Sequence, residues 1–217
     1  MAFDVLSVFK KSFVLLFTDP LLFAFALVYA AIYIAFSVSL YSIKITNVSS
    51  VSITPINIVY LSIYAVLIFL AITFISGMAF VRIAGKKKSI SKIINKTMKR
   101  YPALLATTFL TSIIIALGFI AFIIPGIYLM FKLILSPVSS VVEDKSPTDA
   151  IKRSWNITFG NWWYLFALFV IFFIVLSIIG LLPYISSFFY FVSIISYPLV
   201  FMALTGKSKS NRKKSHH

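Results

Sequence analysis

The side chains that could carry out chemistry are few in this chain. Only five acids occur among 217 residues, cysteine is absent, and the two histidines, His216 and His217, are the last residues. An enzyme needs positioned acids, bases or nucleophiles, and a metal site needs a cluster of ligands. The sequence therefore predicts no enzymatic activity, no metal and no cofactor. We interpret His216 and His217 as a tag remnant or a solvated tail.

Lys132 is the one ionisable side chain that lies inside a predicted membrane span, where such residues are functional candidates by default. One interpretation is structural: Gly126, at a predicted outer turn, is only about 9 Å away along a helix. The stem of Lys132 then snorkels to the outer headgroups, or its ammonium makes a structural hydrogen bond. In the other interpretation Lys132 lines a polar cavity or holds a lipid phosphate, and Tyr128 and Thr111 join it as ligand or headgroup candidates.

The composition places these residues in a membrane protein. The chain is 61% hydrophobic and 12% charged, whereas soluble domains have about 25% charged residues. One span of the bilayer needs about 20 apolar residues. We predict an all-α polytopic protein with six transmembrane helices arranged as three hairpins, each preceded by an amphipathic interfacial helix. The predicted spans are about 20–43, 56–81, 102–124, 126–142, 162–180 and 185–204, in a single domain of residues 1–206 followed by a basic disordered tail at 207–217.

Three segments have the helical spacing of apolar and basic residues that is typical of helices lying on a membrane surface. They are residues 3–19, 89–101 and 147–159. Tryptophan concentrates at membrane interfaces, and cations attract anionic lipid there. The predicted interfacial anchors are Trp155, Trp162, Trp163, Lys10, Lys11, Lys152 and Arg153.

These segments also suggest an internal repeat. Lys11 and Ser12 align with Arg153 and Ser154, and Thr97 fits the position of the serine less well. We interpret the chain as three copies of a surface helix followed by a transmembrane hairpin. The alternative is that any basic amphipathic helix before a span looks similar.

The distribution of cations predicts the orientation. Of the 20 Lys and Arg residues, all but Lys44 and Lys132 lie in the surface helices, the segments next to them and the tail. Because cytoplasmic segments collect Lys and Arg, we predict a multi-pass protein of the cell membrane with both termini in the cytoplasm. The net charge of +15 then reflects orientation and not nucleic acid. The expected partners are membrane lipids, anionic on the cytoplasmic face, and a membrane or cytoplasmic protein.

The second half of the chain carries a resemblance. Its residues are Gly118, the run Pro125-Gly126-Ile127-Tyr128-Leu129, Lys132, Pro137, Glu143, and Ala150 through Ser154-Trp155 to Trp162-Trp163. Here the sequence resembles the membrane domain of glycerophosphoryl diester phosphodiesterases and related six-span prokaryotic membrane proteins of uncharacterised function. The resemblance implies the fold and no activity, because the phosphodiesterase chemistry of the fused proteins belongs to a separate soluble domain.

Two functional hypotheses follow. The first is a non-enzymatic integral membrane protein that organises lipid or a membrane-associated partner, since interfacial helices are extensive and polar residues inside the spans are few. The alternative is a transporter or lipid-translocating protein with an anion or headgroup site at Lys132.

Overall fold

The computed structural model describes residues 4–46, 55–85, 89–179 and 185–214, and it gives side chains for 4–38, 58–85, 89–179 and 189–206. All regular elements in these ranges are helices, as predicted, and six candidate spans are present among them. Helices suit a membrane because they satisfy their backbone hydrogen bonds internally. The helices are α1 (Val5–Thr18), α2 (Pro20–Thr46), α3 (Pro55–Ala84), α4 (Ile90–Ala121), α5 (Ile123–Leu133), α6 (Ser136–Val142), α7 (Pro147–Thr158), α8 (Trp162–Ile179) and α9 (Ile185–Lys214).

The short helices α1 and α7 begin at residues that cap them. Asp4 Oδ1 accepts from the backbone N–H of Leu6 at 3.0 Å, and Ser146 Oγ accepts from that of Asp149 at 3.3 Å. Such caps satisfy backbone donors that have no partner inside the helix. Asp19 separates α1 from α2, which starts at Pro20.

Helix α4 differs from the prediction. We expected a surface helix to end at Tyr101 and a new span to begin at Pro102, but one helix runs through Pro102 without a break. A proline in a helix loses one backbone hydrogen bond. Here the buried side chains of Ile93 and Thr97 before it, and of Leu104 after it, hold both parts of α4 against the bundle. Packing therefore outweighs the lost bond.

The turn between α4 and α5 also differs. We placed it at Pro125-Gly126, but the chain reverses at Phe122, whose φ is −165° and ψ 156°. Pro125 lies in the first turn of α5, where its missing N–H costs nothing. The two helices approach closely at Gly118, because a Cβ there would lie 3.1 Å from the Gly126 Cα and 2.7 Å from a Leu129 methyl carbon.

The fourth predicted span consists of two helices. α5 ends at Leu133 and α6 begins at Ser136, just before Pro137, which has no N–H to offer the Leu133 carbonyl. α6 is largely buried, and the apolar core extends from it to α3, α8 and α9. α9 continues to Lys214, through residues we predicted to form a disordered tail, whereas His216 and His217 lie outside the described residues.

Candidate functional site

Lys132 lies inside the bundle, under three aromatic rings. Its side chain is 1% exposed. Its Nζ is 4.7 Å from the ring centre of Phe159, 5.1 Å from that of Trp155 and 5.5 Å from that of Tyr128. The negative face of an aromatic ring attracts a cation at these distances. We call these three rings the ring cover.

This position shows that the snorkelling interpretation of Lys132 is wrong. The side chain does not reach an exposed surface, because α7 packs on α5 and its aromatic residues close over the ammonium. No hydrogen bond or ion pair to the ammonium is found in the part of the chain that the structure describes. The rings therefore compensate for part of the desolvation of the charge.

Two hydroxyl groups attach α7 to the backbone of Lys132. Ser154 Oγ donates to the Lys132 carbonyl at 2.8 Å, and Thr158 Oγ1 lies 3.2 Å from the same oxygen. Lys132 is one residue from the end of α5, where helix carbonyls run out of partners within the helix. The hydroxyls of α7 thus donate hydrogen bonds to a carbonyl that lies at the end of α5, where backbone N–H partners within the helix run out.

The other candidate residues are only partly brought together. Tyr128 contacts Trp155 edge to face at 6.0 Å and Trp162 at 6.1 Å, and Trp162 stacks on Trp163 at 4.0 Å. Thr111 is buried elsewhere on α4, its Oγ1 has no partner among the described residues, and none of its described contacts reaches Lys132. Sequence reasoning missed Phe159 as a site residue, although its place one turn after Trp155 was a usable signal.

The acids lie in caps and ion pairs. Asp19 pairs with Arg82 at 2.8 Å, Glu143 with Arg153 at 2.9 Å, and Asp144 with both Arg100 at 2.7 Å and Lys96 at 3.3 Å. Asp4 and Asp149 belong to the caps of α1 and α7. The sequence analysis did not predict these pairs. The Asp19–Arg82 pair joins the α1–α2 junction to the end of α3, and the pairs of Asp144 join the start of α4 to the α6–α7 connection. We call the end of the molecule that carries these ion pairs the basic end.

The repeat positions have similar surroundings. Ser12, Thr97 and Ser154, which the repeat aligns, are each 0% exposed. Their helices bury neighbours one turn away, which include Val8 and Leu16 in α1 and Ala150 and Thr158 in α7. Among the anchors, Lys10, Lys11 and Lys152 are exposed, and Arg153 is half-buried against Glu143. α1, the first part of α4 and α7 thus each pack on the bundle through one narrow stripe, with a small hydroxyl residue at its centre.

Comparison with known proteins gives a family. Residues 56–205 match the family described as Uncharacterised protein family (UPF0259). The chain belongs to this family. Among UPF0259 membrane proteins, that of Buchnera aphidicola subsp. Baizongia pistaciae is 32% identical over 117 residues, 48% of this chain and 47% of the relative. That of Buchnera aphidicola subsp. Schizaphis graminum is 37% identical over 73 residues, 34% of this chain and 30% of the relative.

The UPF0259 chain described here therefore spans about half, or less, of the length of these relatives. No solved structure matches it. These relatives are named as membrane proteins, and their names mention no phosphodiesterase. The resemblance to the membrane domain of glycerophosphoryl diester phosphodiesterases thus receives no support from them.

Proposed function

We propose that this UPF0259 protein is non-enzymatic and organises anionic phospholipid at the cytoplasmic face of the cell membrane, with both termini in the cytoplasm. One observation carries the proposal: α7 is fixed to the bundle by buried hydroxyls while it presents Lys152, a lysine with no described partner, and aromatic rings outward. Lys152 is exposed beside Trp155, and Phe159 and Trp163 are 72% and 63% exposed. Exposed aromatics next to cations are typical of a surface that meets lipid headgroups.

The fixed position of α7 suits a lipid surface, because its exposed face is held in place without a protein partner. Ser154 and Thr158 attach α7 to the end of α5. α1 is placed in the same way, with Val8, Ser12 and Leu16 buried and Lys10 and Lys11 exposed. Several cations held near a membrane attract anionic lipid, at about 1 kcal/mol each.

The absence of enzymatic activity is part of the proposal. Each of the five acids caps a helix or neutralises a cation, so none of them is left unpaired among the described residues. No group of three or more potential metal ligands occurs in the described ranges. These observations support a binding role and not a chemical one.

Lipid enrichment tests the proposal. The protein is reconstituted in nanodiscs of phosphatidylglycerol and phosphatidylcholine, and the lipid that remains after mild detergent extraction is measured by mass spectrometry. We expect phosphatidylglycerol to be enriched around the wild type, and the enrichment to fall in a Lys10→Gln, Lys11→Gln, Lys152→Gln variant. The matched control changes the same three lysines to arginine and keeps the enrichment. Equal retention of both lipids by the wild type would contradict the proposal.

Topology is tested separately. Reporter fusions near positions 50, 125 and 182 are expected on the outer side of the cell membrane, since the basic segments lie at the other end of each hairpin. A cytoplasmic signal from any of these three positions would overturn the proposed orientation.

The burial of Lys132 favours a second candidate function, a transporter or lipid-translocating protein with an anion or headgroup site at this residue. An ammonium without a carboxylate partner inside a membrane protein is a functional candidate. For an anion to reach it, however, the ring cover has to open, because the side chain is 1% exposed. Flux of ions, solutes or lipid through liposomes that is lost in Lys132→Ala, with folding intact, would establish this function in place of the first.

The relation to the membrane domain of glycerophosphoryl diester phosphodiesterases is likewise a hypothesis. It is supported by the run Pro125–Leu129 and by Trp162-Trp163 in the sequence. An experimental structure of such a membrane domain with a helix equivalent to α7, attached over a lysine of α5, would support it. A different order of surface helices and spans would remove it.

A further inference from the structure

A cavity of about 360 Å³ opens at the basic end, between the start of α4 and the α6–α7 connection. Its lining residues are Asn95, Lys96, Lys99, Arg100 and Asp144. Three cations and one carboxylate leave two net positive charges around this space. We call it the α4 cavity, and neither the sequence analysis nor the family assigns it a role.

Tertiary structure builds the α4 cavity. Asp144 has a left-handed backbone, with φ of 56°, a conformation that aspartate tolerates better than most residues. Its Oδ1 accepts from Arg100 Nε at 2.7 Å and its Oδ2 from Lys96 Nζ at 3.3 Å. One carboxylate thereby holds two side chains of α4 in place from 44 and 48 residues away along the chain.

Donors remain for a ligand after these contacts. Arg100 uses its Nε toward Asp144, and no contact of its two terminal nitrogens is found in the described part of the chain. Lys99 is exposed and has no described partner. A terminal guanidinium edge and an ammonium suit the oxygens of a phosphate group, which accept charge-assisted hydrogen bonds.

We propose that the α4 cavity binds the phosphate monoester headgroup of an anionic phospholipid. A monoester carries up to two negative charges, which match the net charge of the cavity, whereas a diester carries one. The source is lipid because α4 becomes apolar directly after Arg100, at Tyr101, whose ring packs on Phe74 of α3. The cavity thus lies where a span meets the headgroups. This inference rests on the proposed lipid-organising function and names its headgroup.

Native mass spectrometry of the full chain in detergent tests the inference. The probes are phosphatidic acid, which has a monoester headgroup, phosphatidylglycerol with the same acyl chains, which has a diester headgroup, and inorganic phosphate. Lys99→Gln is the main variant, since no described contact depends on Lys99. Lys92→Gln is the matched control, because Lys92 is exposed on the same helix and does not line the cavity. Lys99→Arg tests rescue of the charge.

We expect the wild type to bind phosphatidic acid more tightly than phosphatidylglycerol. Lys99→Gln should weaken phosphatidic acid binding by about fivefold, close to the contribution of one cation at a membrane surface, and Lys92→Gln and Lys99→Arg should leave it nearly unchanged. Equal losses in Lys99→Gln and Lys92→Gln, or equal affinity for the two lipids, would overturn the inference.

The remaining outcomes are also informative. Inorganic phosphate that binds alone with the same dependence on Lys99 would make a free phosphate the occupant and overturn the lipid assignment. Binding of both anionic lipids without dependence on Lys99 would remove the α4 cavity site and leave the proposed function standing. A wild type that binds neither anionic lipid would remove both.

Discussion

The attachment of α7 to α5 can be tested by removing its two hydroxyls. Ser154 Oγ donates to the Lys132 carbonyl at 2.8 Å, and Thr158 Oγ1 lies 3.2 Å from the same oxygen. Thr158 Oγ1 is also 2.8 Å from the carbonyl of Ser154 in its own helix. Because a hydroxyl has one hydrogen, Thr158 serves one acceptor at a time and can turn to Lys132 when Ser154 is lost.

This geometry predicts a non-additive pair of mutations. Ser154→Ala removes one buried hydrogen bond and should lower the free energy of unfolding by about 1 kcal/mol, because the Thr158 hydroxyl can then donate to the Lys132 carbonyl instead. Thr158→Val keeps the shape of the side chain and should also cost about 1 kcal/mol or less. The double variant leaves the Lys132 carbonyl without a side-chain donor in a buried site, which adds part of its desolvation cost of about 1–3 kcal/mol. We therefore expect the double variant to lose about 3 kcal/mol of unfolding free energy, about 1 kcal/mol more than the sum of the two single variants.

Unfolding in mixed micelles, followed by tryptophan fluorescence, measures these differences. The tryptophans report on both sites, because Trp155 lies on α7 and the other two start α8, on which α1 packs through Phe9 and Phe172. Ser12→Ala is the matched control: Ser12 is equally buried, but its Oγ donates at 2.9 Å to the Val8 carbonyl of its own helix. We expect the control to cost under about 0.5 kcal/mol, since that carbonyl keeps its helical bond. A double variant that equals the sum of its singles, or a Ser154→Ala no costlier than Ser12→Ala, would refute the reasoning.

Three further outcomes are expected. Gly118→Ala should destabilise the protein by about 1–3 kcal/mol in detergent unfolding, because its Cβ would lie 3.1 Å from backbone that cannot move aside easily. Asp19→Asn keeps the side-chain oxygen that caps α2 but removes the negative charge that pairs with Arg82 at 2.8 Å. Thermal unfolding should then show a free energy of unfolding lower by about 2 kcal/mol. Lipids brominated near the headgroup should quench tryptophan emission more than lipids brominated at the chain end, because Trp163 is exposed at the start of a candidate span, where tryptophans usually lie among the headgroups.

Each of these has its control. Gly206→Ala meets no atom within 4 Å and should be neutral or slightly stabilising, since alanine favours a helix; a similar loss at both glycines would contradict the packing argument. Asp4→Asn likewise keeps a helix cap but breaks no described ion pair. If it destabilised the protein as much as Asp19→Asn does, the Asp19–Arg82 ion pair would not be the cause of the effect. Stronger quenching from the chain end would place the tryptophans away from the interface.

Local sequence signals accounted for the helices but not for their junctions. The six spans follow from the length of the apolar stretches, and the start of α7 from Ser146, Pro147 and Asp149. We misplaced the turn at Phe122 and predicted a break at Pro102 because a proline often begins a helix. Pro125 does lie in the first turn of α5, but Pro102 lies inside α4, where packing on both sides outweighs the lost hydrogen bond.

The site shows the same division. Tyr128 and the tryptophans were identified as candidates from residue type and position, and the structure groups them beside Lys132. Thr111 was named for the same reason and lies apart from them. The distance of Lys132 from the outer turn suggested snorkelling, and that argument failed because it treated α5 as a lone helix.

The sequence by itself determined that this is an all-helical membrane protein, that its described residues hold six candidate spans, and that α1 and α7 are amphipathic. These properties depend on the order of apolar and polar residues within one helix, over about 20 positions. Only the tertiary structure decided that Lys132 is buried under the ring cover and that Asp144 gathers Lys96 and Arg100. Apart from Tyr128, which lies one turn before Lys132 in the same helix, those contacts join residues 23 to 48 positions apart. No local periodicity records which helix packs beside which.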